Sequence, residues 1–463
     1  MARQPASRLQ LSGYRFLIRR TEHALVRGDA RMLDDPLRAQ SISLAAGCLL
    51  AVIAVVACVV LAVLRPDGAL GSAPILMTRT SGALHVRIGD TIHPVLNLAS
   101  ARLIAGTPAD PKPVGDAVIA AAKRGPLVGI PGAPTQIDPA LSIEESGWTV
   151  CDVSDPPATV LVVGRRGGDT RPQRPGQAML VRPRGESAAT TYLLFDGRRA
   201  VVDLRDMAVV RALRLEGVAP RDVSRALLDT VPEVPAIRAP VIADAGAPGP
   251  PALGGLTIGS VVRVIRADLG GAEFYVVLGA GLQRIGAVAA DLIRFTVAQP
   301  RSEPVTVAAD ALVDVPFVET LPVAAFPAGV RQPAGAVVCA GWDVRQAGPD
   351  TNTTLLVGDS LPQEALTLAQ ADESGPNIDR VLIPAGRSAL VRSAAVTGDD
   401  GTPGSLYLVN DLGVRFGIHD DEVATRLGLT AAAVPAPWPM LASLPRGPEL
   451  STAAASVVGD SPS

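Results

Sequence analysis

The chain has 463 residues and a formal net charge of −3, with aromatic residues at only 3% and with 45 glycines and 41 prolines. That balance argues against a nucleic-acid partner for the bulk of the protein, because phosphate backbones are met by basic surfaces. It predicts turn-rich modules packed with alanine and valine, in a chain long enough for more than one core.

Residues 1–41 carry eight arginines against four acids. Within them Leu11 to Val26 reads as an amphipathic helix. Tyr14, Leu17, Ile18 and Leu25 recur at helical spacing, with Arg15, Arg19 and Arg20 on other faces. Two uses fit that pattern on spacing alone: a basic helix on anionic headgroups, or a docking helix that meets a cytoplasmic partner through Tyr14, Leu17, Ile18 and Leu25. Residues 42–64, ISLAAGCLLAVIAVVACVVLAVL, contain no charge, Pro, Asn or Gln. As a helix they extend about 35 Å, enough to cross a hydrocarbon core of about 30 Å, and a helix satisfies its own backbone there. The flank beyond offers only Arg65 and Asp67, which cancel. The positive-inside bias therefore predicts a cytoplasmic N-terminus and export of residues 65–463. A cleaved signal would be shorter and nearer the start, so the span is read as an uncleaved anchor.

Of four cysteines, Cys48 and Cys58 lie in the span, where they behave as small apolar residues. Cys151 and Cys339 fall on the exported side, where disulfides persist, and are expected to pair. The bond would close a loop of 188 residues and bring two distant segments together.

An internal repeat follows the span. One copy holds Leu180-Val181-Arg182, Tyr192-Leu193-Leu194, Asp196-Gly197-Arg198-Arg199 and Ala212-Leu213. A second holds Val261-Val262-Arg263, Tyr275-Val276-Val277, Gly281 with Arg284, and Leu292-Ile293. A third holds Leu390-Val391-Arg392, Tyr407-Leu408-Val409, Asp411 to Arg415 and Leu427-Gly428-Leu429. A fainter copy opens the exported part, from Leu76 to Leu103. Each reads strand, variable loop, strand, Gly turn, short strand, helix. Such units are too small to bury a core alone and should pack in pairs or on something central. The expected class is α+β: a single transmembrane helix, then an elongated exported region of four β-rich repeats around a disulfide-linked central domain. The organisation predicted is repeat 1 over 65–115, central domain over 116–175, repeat 2 over 176–238, a Pro/Gly linker over 239–255, and repeat 3 over 256–300. The central domain then resumes over 301–385, repeat 4 covers 386–434, and 435–463 forms an extended tail.

The chain contains no G-x-x-x-x-G-K-[ST], and Gly279-Ala280-Gly281 with Gly286 misses the dinucleotide spacing. Leu355 to Leu361 is a strand followed by Gly-Asp-Ser-Leu, which resembles the nucleophile block of GDSL esterases, with Ser360 as nucleophile. That mechanism needs a histidine base with an acid to orient it. The only downstream histidine, His419, has Phe416 where the acid should stand. Asp399-Asp400 reads as a solvated loop, and Asp420-Asp421-Glu422 as a helix first turn, where carboxylates suit the dipole. Four scattered histidines give no metal-ligand spacing. The residues themselves assign no catalytic, cofactor or metal site.

Several longer motifs carry a resemblance. Gln10 to Phe16 and Asp35-Pro36-Leu37-Arg38 precede the span, and His93-Pro94-Val95-Leu96-Asn97-Leu98-Ala99-Ser100-Ala101-Arg102-Leu103 and Gly129 to Pro134 follow it. Trp148-Thr149-Val150-Cys151 and Val338-Cys339 come next. Gly413 to Ile418, Leu427-Gly428-Leu429 and Leu444-Pro445-Arg446-Gly447-Pro448 close the chain. Over nearly its whole length the sequence resembles the EccB family, the single-span membrane component of type VII (ESX) secretion systems. The resemblance implies a structural core subunit of an inner-membrane complex, with its large domain in the periplasm. Its implied partners are EccC, EccD, EccE, the MycP protease and further copies of itself, together with the lipid bilayer. It favours the docking use of the Tyr14–Leu25 helix. It also carries an ATPase label, so ATP is a ligand by family label alone, and the sequence offers no phosphate-binding motif for it. Arg31-Met32-Leu33 and Val434-Pro435-Ala436-Pro437-Trp438 are most similar to the paralogue tied to metal acquisition.

Overall fold

The computed structural model describes residues 7–28, 36–64, 71–164, 168–185, 190–266, 271–296, 303–343, 353–362, 364–397 and 404–458. Arg31-Met32-Leu33, Asp35, Arg65, Asp67 and the Asp399-Asp400 pair lie outside them. Two units are distinguished, one of residues 1–71 with 114–120, the other of residues 72–113 with 121–463.

In the first unit, α1 (Arg8–Arg27) begins at a capping box. The Ser7 hydroxyl accepts from the Gln10 N–H while the Gln10 side chain accepts from the Ser7 N–H, which satisfies two of the donors that every helix start leaves open. The helix stops at Gly28, which takes the left-handed conformation at φ 68°. The second helix, α2 (Pro36–Leu64), contains Ser41–Val60, an apolar stretch of mean hydropathy 2.8 that is exposed along its length. Its 29 residues would extend about 44 Å. Ile42, Leu44, Leu50 and Val55 all stand exposed, as expected of side chains that face lipid rather than protein.

The second unit opens with β1 (Ile75–Thr78), β2 (Leu84–Ile88) and β3 (Thr91–Pro94), paired antiparallel. Helix α3 (Leu98–Ala105) follows, capped by the Asn97 side chain on the Ser100 N–H. In chain order there follow β4 (Lys112–Val114), then α4 (Asp116–Ala121), which through Ala120 groups with the first unit, and three strands of the central domain, β5 (Trp148–Ser154), β6 (Pro157–Val163) and β7 (Arg171–Pro172).

The second repeat is β8 (Met179–Pro183), β9 (Tyr192–Phe195), β10 (Arg198–Val202), α5 (Met207–Ala212), β11 (Arg221–Val223), α6 (Arg225–Thr230) and β12 (Glu233–Ile237), with strand order β11-β8-β9-β10-β12. Asp196-Gly197 forms its hairpin turn, both at positive φ (45° and 72°), with Phe195 opposite Arg198. A two-residue turn of that kind matches the twist of the strands it joins, and Asp-Gly is its usual sequence. The third repeat is β13 (Val261–Arg266), β14 (Gly271–Leu278), β15 (Gly281–Ile285), α7 (Ala287–Thr296) and β16 (Val305–Val307). After it the central domain resumes with β17 (Val337–Trp342), β18 (Thr353–Gly358), β19 (Leu366–Thr367) and β20 (Arg380–Leu382). The fourth repeat is β21 (Ala389–Ala394), β22 (Leu406–Val409), β23 (Arg415–Ile418), α8 (Asp421–Leu427) and β24 (Val434–Pro437), and α9 (Trp438–Ala442) and α10 (Thr452–Ala455) follow.

Repeats two to four share one connection that the sequence pattern did not show. After the helix, a strand returns parallel to the first: β11 on β8, β16 on β13 and β24 on β21. Parallel partners need a crossover, and the helix supplies it. In the fourth repeat the returning strand is Val434–Pro437, at the sheet edge, where two prolines are tolerated because no ladder donor is required on the open side.

Two expectations about irregular segments change. Residues 435–458 do not run extended over the surface. They form β24, α9 and α10, and Ala436, Met440, Leu441, Leu444, Leu450 and Ala455 are all buried. The small apolar residues that looked like tail composition are core. The stretch 239–255 is not a free linker either. The Gly246 and Gly249 N–H groups donate to Ile258 and Leu256, and Ile242 and Leu253 pack into the cores of the third repeat.

Besides the cores inside the first and third repeats, others are shared between repeats and with the central sheet. Ala99 and Leu103 of α3 share a core with Phe416, Val423 and Leu427 of the fourth repeat, and the Arg102 guanidinium donates to the Leu427 carbonyl at 2.8 Å. Val288 and Leu292 of α7 share a core with Leu193, Val209 and Leu213 of the second repeat. The largest core joins the second and fourth repeats to the central sheet, through Val181, Leu227, Val391 and Met440 around Trp148 and Trp342.

Candidate functional site

The central sheet is where the chain ties itself together. Its order is β19-β20-β6-β5-β17-β18-β7, so strands from before the second repeat alternate with strands from after the third. The β5 run Trp148 to Val153 is apolar on both faces apart from Thr149 and Asp152, as suits a strand covered on both sides. In the β5–β17 register, Trp148 faces Trp342 and Cys151 faces Cys339. The tryptophans point into the large core. The cysteines, on the opposite face, pack with Val337 and Leu356. Their Cα atoms are 4.0 Å apart and the disulfide is formed, as the sequence led us to expect.

Beside it sits a buried polar joint. Asp152, 1% exposed, accepts from the Ser224 N–H at 2.6 Å and the Thr159 hydroxyl at 2.8 Å, with the Arg184 guanidinium at 3.7 Å. Burial pushes the Asp152 carboxyl above its usual range, against the lowering pull of Ser224, Arg184 and Thr159. The Thr159 N–H donates onward to Asp379, which also accepts from the Asp372 and Glu373 N–H groups. Arg221 donates to the carbonyls of Gly335 and Ala336 at the start of β17. One charged network thereby joins both halves of the central sheet to the end of the second repeat. The signal for it was in the sequence, since a lone aspartate inside an apolar strand is buried only with partners.

Ser360 does not stand in a nucleophile's environment. It follows β18 in a turn held by the Asp169 carboxylate, which accepts from the N–H groups of Ser360 and Asp359 at 2.8 and 3.1 Å and lies 3.3 Å from the Ser360 hydroxyl. Those donors hold the Asp169 carboxyl below its usual range. His419 sits in the fourth repeat, 3.1 Å from Glu449. Nucleophile and base are therefore not brought together. Asp420 caps α8 through the Val423 N–H, with Asp421 and Glu422 in the first turn, and Asp421 takes both its oxygens to Arg392. Among the described residues no group of three or more His, Cys, Asp or Glu is placed to hold a metal ion.

On α1, Tyr14, Leu17, Ile18 and Leu25 are 64, 57, 39 and 85% exposed. With Leu11 they form an apolar stripe along one side of the helix, and none of the core clusters among the described residues includes them.

The family model described as "Type VII secretion system ESX-1, transport TM domain B" matches residues 3–462. A relative from Mycolicibacterium smegmatis named ESX-3 secretion system ATPase EccB3 is 37% identical over 473 residues, covering 98% of this chain and 91% of the relative. The ESX-2 secretion system ATPase EccB2 of Mycobacterium tuberculosis is 36% identical over 479 residues, covering 98% and 95%. Among solved structures, a chain of an intact ESX-5 inner membrane complex matches with a TM-score of 0.73 at 31% identity, covering 100% of this chain and 97% of that one. A chain of the EccB3 dimer from the ESX-3 core complex matches at 0.71 and 35% identity, covering 83% and 100%.

Proposed function

This chain belongs to the EccB family and is a structural core subunit of a type VII secretion membrane complex, and we propose that it builds the periplasmic side of that complex and fixes it to the membrane subunits EccC, EccD and EccE, near the MycP protease. The observation that carries the proposal is the division of the chain: among the described residues one exposed apolar helix long enough to span a membrane, followed by a repeat assembly locked through a central sheet. The eight arginines and four acids of residues 1–41 favour a cytoplasmic N-terminus. In that orientation the Tyr14, Leu17, Ile18 and Leu25 stripe meets a cytoplasmic partner domain, while the repeats meet copies of the same chain on the other side. The relatives' names include an ATPase activity. This chain carries no Walker-type motif, and the buried groups described above serve its packing.

The test is a native gel of gently solubilised membranes carrying a tagged copy, with mass spectrometry of the tagged band. A very large band containing EccC, EccD and EccE is expected. A small band of this chain alone, under conditions that preserve other membrane complexes, would overturn the proposal.

A further inference from the structure

The fourth repeat carries a groove of about 510 Å³ that none of the contacts within the chain accounts for. Its floor is the face of β22 and β23 where Tyr407 stands opposite Gly417. Its wall is the stretch after α9. The Arg415 N–H donates to Pro445 and the Gly447 N–H to Arg415, so this stretch runs parallel along β23 and sets Arg446 beside Arg415. Trp438, the first residue of α9, closes the other side.

The chemistry gathered there is uncommon in this chain. Trp148 and Trp342 are buried, whereas Trp438 is 44% exposed. The Arg415 guanidinium lies 5.5 Å from the Tyr407 ring centre and 5.2 Å from that of Trp438, and the two rings are 5.9 Å apart. Arg415 Nε is buried with no hydrogen-bond partner. Among the described residues the one carboxylate lining the groove is Glu449, which faces His419 at 3.1 Å. Arg415 and Arg446 therefore line the groove as two cations with no acid of their own among the described residues. Two adjacent guanidiniums repel, and an incoming anion relieves that cost. A guanidinium clamped by aromatic faces keeps its planar fork aimed, which suits a planar carboxylate. Glu449 at the rim disfavours a dianion such as phosphate. The exposed faces of Trp438 and Tyr407 suit an apolar neighbour beside the acid.

We propose that this groove docks an acidic segment of a partner subunit, with one Asp or Glu carboxylate seated against Arg415 and Arg446 and a flanking apolar side chain on Trp438 and Tyr407. The choice of a protein partner rests on the scaffold reading above.

The experiment places a diazirine amino acid at Ser405, an exposed residue on the groove wall, in the full chain in cells. Crosslinked peptides are mapped by mass spectrometry, and the same membranes are run on a native gel. The expected crosslink is to a different subunit, within a few residues of an Asp or Glu. It should fall by about tenfold or more in the Arg415→Gln, Arg446→Gln pair and in Gly417→Leu. The glycine variant tests the space without touching charge. A Cβ there meets nothing closer than 3.9 Å, so a side chain starts from residue 417 without a clash and extends into the groove. Crosslinks that persist in both variants, that land on lipid or on a second copy of this chain, or that are missing from an assembled complex would each overturn the proposal. Failure of the large complex to form in the parent cells would instead sink the scaffold reading, and the docking proposal with it.

Discussion

The Asp152 carboxylate and the Arg184 guanidinium lie 3.7 Å apart with side chains only 2% and 9% exposed, an ion pair buried where the second repeat meets the central sheet. Removing one partner of such a pair leaves the other charged and unsolvated. Asp152→Ala should cost about 3–5 kcal/mol of stability, read as a shift in denaturant midpoint of the full chain in detergent. A change within about 0.5 kcal/mol, the range of ordinary surface substitutions, would show that the pair is not part of the joint.

The pH dependence has a definite sign. Burial raises the Asp152 carboxyl in the folded protein, so the native state holds its proton to higher pH than the unfolded chain does. Its contribution is therefore fully present below the ordinary aspartate range and is lost as pH rises through the raised value. Thermal melts across that window should show the parent losing stability relative to Asp152→Asn as pH rises. Parallel curves would contradict the assignment.

Reducing the Cys151–Cys339 bond releases a loop of 188 residues and should destabilise the folded region by up to about 5 kcal/mol in the chain-entropy account. Because the β5–β17 ladder and the Trp148–Trp342 contact lie on the same strand pair, the chain should stay folded at moderate temperature without the bond. A Cys151→Ser, Cys339→Ser variant would show a lower melting temperature with an unchanged far-UV spectrum. Loss of the spectrum would mean that the bond, rather than the ladder, holds the halves together.

Ser360→Ala should be silent in secretion and in complex assembly. The N–H of residue 360 still donates to Asp169, and the lost hydroxyl sits at 3.3 Å from that carboxylate on an exposed turn, where a hydrogen bond is worth about 1 kcal/mol or less. Secretion abolished in a variant present at normal levels would revive a nucleophilic role.

Tyr14→Asp with Leu17→Asp on the apolar stripe of α1 should shift this chain out of the large native-gel band. The melting of the second unit should not move, because neither residue belongs to its cores. A band of unchanged size and composition would remove this helix from the docking role.

The parts legible in the sequence are those with local periodicity. The span announces itself by 23 uncharged residues, α1 by spacing of three and four, and the repeats by alternating strands with a glycine turn such as Asp196-Gly197. The returning strands were hidden because they are three or four residues long and in one case half proline, as in Val434–Pro437. Their strand character comes from a partner already in place rather than from propensity. The central sheet was legible only at Cys151 and Cys339. Pairing of β20 with β6 joins Arg380 to Val160, and no local pattern encodes a contact of that separation. The groove was scattered over Tyr407, Arg415, Trp438 and Arg446, each of which alone reads as an ordinary surface residue.

The alternation of early and late strands in the central sheet sets an order of events. β6 and β5 wait for β20 and β17, and the short β7 has nothing to pair with until β18 arrives. The second and third repeats are made in between, before β17, β18, β19 and β20 have arrived. The chain must be delivered through Leu382 before β20 can complete its pairing with β6. Long-range closure of this kind is slow compared with hairpin formation. A chain stalled during delivery at residue 330 would hold exposed, unpaired edges of β5 and β6, a target for proteolysis that the finished protein does not present.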